Sequence, residues 1–150
     1  KVGRDTPEGT IVSYIHGGGK IGVMVEVSCE TDFVARNEEF QNFAKEVAMQ
    51  IAAKTPAYIS REDVPEDELK REKEVAKIQA IESGKPADIA DKIAEGRLEK
   101  YYEEVCLLDQ PYIRDMKLTI DDLLKALIGK IGENMKIRRF ARYQLGEPLD

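Results

Sequence analysis

Residues 21–29 constrain the fold most. Ile21, Val23, Val25 and Val27 alternate there with Met24, Glu26 and Ser28, the two-residue period of a strand with one buried face. The run leads into Cys29-Glu30-Thr31-Asp32-Phe33-Val34-Ala35-Arg36-Asn37. Beyond it Asn37 is a helix N-cap, and Phe40, Phe43, Ala44, Val47, Ala48 and Ile51 recur at spacings of three and four, an amphipathic helix ending near Lys54. Strand and helix each carry their own core-facing stripe, so neither needs Phe33. Two readings stand for that residue. It plugs the seam between strand and helix, as apolar residues at joints usually do, or it is presented outward on a short rigid loop. The pattern alone favours the plug.

Ahead of the strand, Ile11, Ser13 and Ile15 fall on one face and Val12, Tyr14 and His16 on the other. Gly17-Gly18-Gly19 then permits positive φ, which predicts a hairpin with a glycine tip. Residues 1–8 lack a period and read as a linker, with the body starting near Gly9. After Lys54, Pro56 disfavours helical geometry at Thr55, and Tyr58-Ile59 reads as a short extended piece. From 65 to 105 the chain turns into charged, helix-favouring sequence, broken at Ser83-Gly84-Lys85-Pro86 in the Gly-stop, Pro-start order of two antiparallel helices. Thin stripes through Leu69, Ala76, Ala80 and Ile81, and through Ala90, Ala94, Leu98, Tyr101 and Val105, suit an inserted two-helix arm packed on itself.

Cys106 to Tyr112 is an apolar return ending at a proline turn. Thr119 with Asp122 forms a capping-box start, and Ile120, Leu123, Leu124, Leu127, Ile128 and Ile131 make one clean helical stripe. The last run, 135–145, places Met135, Ile137, Ala141, Tyr143 and Leu145 on one parity and Lys136, Arg138, Phe140, Arg142 and Gln144 on the other. That is a third strand with a basic outer face, interrupted by Arg139. This element order cannot alternate into a parallel sheet. The expected class is α+β, a three-stranded antiparallel sheet with helices packed on one face and a protruding antiparallel two-helix arm. The uncovered sheet face invites a second copy of the chain.

Composition narrows the function. A chain of 150 residues is the size of one domain. A net charge of −6 with 35% charged residues argues against a general nucleic-acid binder, so any basic site is local. Cys29 and Cys106 have neither paired spacing nor a histidine cluster beside them, which suggests no zinc site and no disulfide framework. Free thiols and a cytoplasmic location are expected. No apolar run of about 18 residues exists to span a membrane, and no leader opens the chain. The start on Lys1 rather than Met reads as a fragment or processed form with an upstream domain missing.

Catalytic signatures are incomplete. His16-Gly17-Gly18-Gly19 has the look of an oxyanion-hole segment, yet no Gly-x-Ser-x-Gly elbow accompanies it and His16 is the only histidine. Gly19-Lys20-Ile21 lacks the glycine spacing and the Ser or Thr of a phosphate loop. The carboxylates lie on helix surfaces with nothing apolar to raise a pKa. No enzyme activity, cofactor or metal is expected. Lys136, Arg138, Arg139 and Arg142 form a basic strand that could meet phosphates, with only Phe140 and Tyr143 to stack bases.

The run Ile21 to Asn37 resembles the signature of the bacterial translation elongation factor Ts family. Ser83-Gly84-Lys85-Pro86, Ile93-Ala94-Glu95-Gly96-Arg97, Leu108-Asp109-Gln110-Pro111 and Lys130-Ile131-Gly132-Glu133-Asn134 before Arg138-Arg139-Phe140 are similar to the same family. These matches span nearly everything from Gly9 onward. The resemblance implies a guanine-nucleotide exchange factor for the GTPase elongation factor Tu. It further implies the short form of the family, in which two chains pair through their sheets, here without the family's small N-terminal helical domain. Carried over by position, Asp32 and Phe33 would insert against the GTPase, with Thr31 and Val34 completing the loop. Ile131 and Gly132 match a second patch on the GTPase domain, and His16 with Gly17 a loop tip that meets another domain of that partner. The competing reading is a ribosome-associated RNA-binding protein using the basic last strand.

Overall fold

The computed structural model describes residues 3–149. It divides into two compact units, Lys1–Thr55 with Pro111–Asp150, and Pro56–Gln110.

In the first unit, β1 (Glu8–His16) and β2 (Ile21–Cys29) form an antiparallel hairpin in register from Glu8 opposite Cys29 to His16 opposite Ile21. The tip is closed by the Lys20 N–H on the His16 carbonyl, 3.0 Å. β5 (Met135–Gln144) pairs antiparallel along the other edge of β2, giving the order β1-β2-β5. Gly9 is obligatory in β1. A Cβ there would stand 2.2 Å from the Val27 carbonyl oxygen, at a φ of +153°.

The β2 alternation works as the sequence predicts. Val23, Val25 and Val27 are at most 2% exposed and face α2 (Glu38–Lys54), whose Phe40, Ala44, Val47, Ala48 and Ile51 are fully buried. Burying each of these larger side chains contributes roughly 1.5–3 kcal/mol. Between β2 and α2 lies α1 (Asp32–Ala35), a single turn. α2 ends at Thr55 in a left-handed conformation, its N–H on the Ile51 carbonyl. Arg142 of β5 completes that end, donating from Nε to Ile51 O at 3.2 Å and from an Nη to Ala52 O at 3.0 Å, a cation where unsatisfied helix carbonyls collect.

Arg142 can do this because β5 differs from the simple alternation expected for it. The register with β2 shifts between Glu26 and Val27, where Ile137 faces Val27 and Arg139 faces Glu26, so Arg138 is an extra residue in a bulge. A bulge exchanges the two faces. Phe140 and Arg142, opposite Val25 and Val23, therefore turn toward the helices. Arg139, Ala141 and Tyr143 turn to the uncovered side.

Two further elements precede α5 (Ile120–Ile131): β3 (Pro111–Tyr112) and β4 (Asp115–Thr119), a small antiparallel ribbon where the sequence predicts only a proline turn. Gln50, fully buried in α2, holds it by donating to the Pro111 carbonyl and accepting the Ile113 N–H, both at 3.0 Å. α5 starts with the predicted capping box between Thr119 and Asp122.

In the second unit, α3 (Glu66–Glu82) and α4 (Ala87–Val105) form the antiparallel pair. Their buried residues are alanines, Ala76 and Ala80 on one helix and Ala90 and Ala94 on the other. Polar ties add to so small a core. Glu68 accepts hydrogen bonds from the hydroxyls of Tyr58 and Tyr101, which hold its pKa below the usual carboxylate value. Arg61 donates to Glu99 and Asp109 and lies 4.4 Å from the centre of the Tyr102 ring. The architecture is α+β, with one three-stranded antiparallel sheet, as the element order predicts.

Candidate functional site

The joint after β2 is built from two successive helix starts. Thr31 is extended, with φ −126° and ψ 153°, and its hydroxyl oxygen accepts the Val34 N–H at 3.3 Å, which caps α1. After the four residues of α1 and Arg36 the chain restarts at Asn37, whose side-chain oxygen accepts the N–H groups of Glu39 at 2.8 Å and Phe40 at 3.3 Å. Within the single turn, Val34 and Ala35 are 5% and 4% exposed. A step of about 100° per residue turns the preceding side chains the other way. Phe33 is accordingly 77% exposed. It is no plug. The seam is filled by Val34 and Ala35, and the pattern favoured the wrong reading because it did not register a helical turn inside the joint. Asp32 is exposed as well, paired with Arg36 at 3.1 Å.

A second segment meets this loop. Gly132 closes α5 at a φ of +87°, its N–H on the Ile128 carbonyl at 2.8 Å. That left-handed turn delivers Glu133 to the Phe33 loop. One of its carboxylate oxygens accepts the N–H groups of Glu30 and Thr31, each at 3.1 Å, and the other accepts the Thr31 hydroxyl at 2.7 Å. In return Glu30 accepts the Asn134 N–H at 2.5 Å. Thr31, Asp32, Phe33 and Val34 thus share one end of the sheet with the turn that carries Ile131 and Gly132, both half-buried. The Arg4–Glu30 ion pair at 3.5 Å and the Thr6–Ser28 hydroxyl contact at 2.8 Å lie at this end too.

Cys29 sits beneath, fully buried, donating from Sγ to the Thr31 carbonyl at 3.2 Å. Burial, helped by the Glu133 charge, pushes its thiol up to about 11, so it stays a protonated donor. Cys29 and Cys106 are both free. Among the described residues no group of three or more His, Cys, Asp or Glu side chains is placed to hold a metal ion.

His16 and Gly17 are not brought to this site. They occupy the hairpin tip at the opposite end of β2, a nine-residue strand of roughly 25–30 Å. Both are exposed, with the Tyr14 hydroxyl 2.7 Å from His16 Nδ1. Between the two ends runs the uncovered sheet face, where Ile11, Ile15, Met24 and Tyr143 are 56%, 66%, 54% and 72% exposed. The three arginines of β5 are occupied. Arg138 and Arg139 both pair with Glu26, at 2.9 and 2.7 Å, and hold its carboxyl below the usual range, mainly through the Arg139 hydrogen bond. Arg142 is committed to α2, as described.

Over residues 3–147 the chain matches the family model described as Elongation factor TS. The chain belongs to the elongation factor Ts family. It is 59% identical to elongation factor Ts of Caldanaerobacter subterraneus subsp. tengcongensis, over all of this chain and 75% of that protein. It is 55% identical to that of Carboxydothermus hydrogenoformans, over 99% of this chain and 69% of the relative. With elongation factor Ts of Solidesulfovibrio magneticus the identity is 58%, over 98% of this chain and 74% of the relative. As an elongation factor Ts chain it is a translation elongation factor, and no helix among its described residues is long and apolar enough to cross a membrane. Nothing in the family match favours the RNA-binding reading. Sequence reasoning placed Glu133 in a stretch similar to the elongation factor Ts family but missed its role, because its bonds span more than a hundred positions.

Proposed function

We propose that this chain binds elongation factor Tu in the cytoplasm and speeds release of its GDP, with no chemistry of its own, by inserting Phe33 into the GTPase. The observation that carries the reading is the 77% exposure of Phe33 directly ahead of the buried Val34 and Ala35. A large apolar side chain held in water by its own anchors is suited to fill a partner's pocket, and one such aromatic contributes about 2 kcal/mol or more to binding. Ile131 and Gly132 supply a second contact at the same end of the sheet, while His16 and Gly17 reach another domain of the partner. The wedge displaces helices that support the phosphate loop and magnesium site, where nucleotide affinity is concentrated. Factor and nucleotide then weaken each other by the same factor.

The uncovered face suits a second copy of the chain. Its exposed Ile11, Ile15, Met24 and Tyr143 form an isologous patch, each chain offering the same surface to the other. The Phe33 patch and the His16 patch that meet one partner then come from different chains.

Phe33→Ala is expected to slow factor-stimulated GDP release at least about tenfold. Unchanged release would show that Phe33 is not the wedge. Met24→Glu, which buries a charge at the centre of the pairing face, is expected to turn a dimer into a monomer in sedimentation. A wild-type chain that sediments as a monomer contradicts the pairing.

A further inference from the structure

We propose that Glu133 is a positioning residue for Phe33, a role that rests on the wedge reading above and adds the device that holds the wedge. α1 has four residues, and a single turn does not sustain itself, because nucleating a helix fixes several dihedrals for one hydrogen bond. Val34 and Ala35 anchor one side of it. What fixes the other is a relay through one hydroxyl. Thr31 Oγ1 accepts the Val34 N–H at 3.3 Å and gives its own proton to Glu133 at 2.7 Å. The second Glu133 oxygen takes the N–H groups of Glu30 and Thr31. One carboxylate therefore orients three donors immediately ahead of Phe33.

Bonds to a carboxylate are stronger than neutral ones, and among the described residues no Lys or Arg side chain forms an ion pair with Glu133, so its charge serves the loop. The return bond from the Asn134 N–H to Glu30 ties the same two segments in the opposite sense. Glu133 also follows Gly132 directly. The carboxylate that sets the Phe33 turn thus fixes the spacing between the Phe33 and Ile131-Gly132 patches. Without it, the loop must be ordered at the moment of binding, and that entropy opposes insertion.

The test is GDP release from elongation factor Tu with wild type, Glu133→Ala, Phe33→Ala and the double variant, beside amide exchange on each free chain. Glu133→Ala is expected to slow release about tenfold, the loss of charge-assisted hydrogen bonds. In the Phe33→Ala background the same change should matter less than about twofold, because residues that act through one another are not additive. Glu133→Gln, which keeps one acceptor oxygen but loses the charge, should restore part of the rate. The Glu30 and Thr31 amides should exchange faster in Glu133→Ala while those of α2 are unchanged. If Glu133→Ala unfolds the chain, Thr31→Val, which removes only the relaying hydroxyl, takes its place with the same expected pattern. Should Phe33→Ala leave release unchanged, the wedge reading falls and the positioning role falls with it. If Phe33→Ala is damaging but Glu133→Ala is harmless, or equally damaging with and without Phe33, the positioning role alone is overturned.

Discussion

The two ends of β2 are finished in opposite ways. At Cys29 the chain enters a one-turn helix whose cap is bonded to Glu133, whose Glu30 is bonded to Asn134, and whose inner side is buried. At Ile21 the chain comes out of a turn of three glycines, all at positive φ, with the Lys20 N–H on the His16 carbonyl and the Tyr14–His16 contact as its ties. Both ends carry residues expected to meet the same partner. The difference follows from what each presents. An exposed aromatic delivers its burial energy to a partner only if it neither folds back onto its own core nor pays to be ordered on binding, so the Phe33 end is tied down. A tip of His and Gly has little apolar area to deliver and needs only to reach.

The contrast is broken most readily with the two phenylalanines flanking Asn37. Phe40 is fully buried and Phe33 is 77% exposed. Phe40→Ala is expected to lower unfolding stability by about 3–5 kcal/mol, and Phe33→Ala to leave it within about 0.5 kcal/mol, both read from denaturant midpoints. A Phe33→Ala chain destabilised as much as Phe40→Ala would mean that Phe33 is part of the core after all. A smaller effect sharpens the contrast from the other end. His16→Ala should leave stability within about 0.5 kcal/mol, as exposed substitutions do, and slow GDP release by less than about threefold, as contacts away from a hot spot do. Equal losses for His16→Ala and Phe33→Ala would make the two ends energetically alike.

Much of this arrangement was legible in the residues, and what was not has local physical reasons. The β2 alternation, the α2 stripe and the Thr119–Asp122 capping box are patterns of period and spacing, and each element lies where its pattern places it. The outward Phe33 was not readable from period, because a four-residue turn is too short to show one. The β5 bulge exchanges faces at Arg138, and no parity count reveals which residue is extra. Gln50 lies outside the α2 stripe and is polar, yet it is fully buried, bonded to the Pro111 carbonyl and the Ile113 N–H. The resemblance to the elongation factor Ts signature located the Phe33 loop, Ile131-Gly132 and the His16 tip. It included Glu133 in a matching stretch but gave it no role, because its partners are set by the fold.

The wedge account is tested most directly by watching the environment of residue 33. The chain contains no tryptophan, so Phe33→Trp makes that position its sole indole reporter. With elongation factor Tu alone subtracted, the free chain should emit as a water-exposed indole open to acrylamide quenching, and emission should shift to the blue with loss of quenching on forming the complex. An indole already shielded in the free chain, or one that stays exposed in a complex that still releases GDP, would contradict the account.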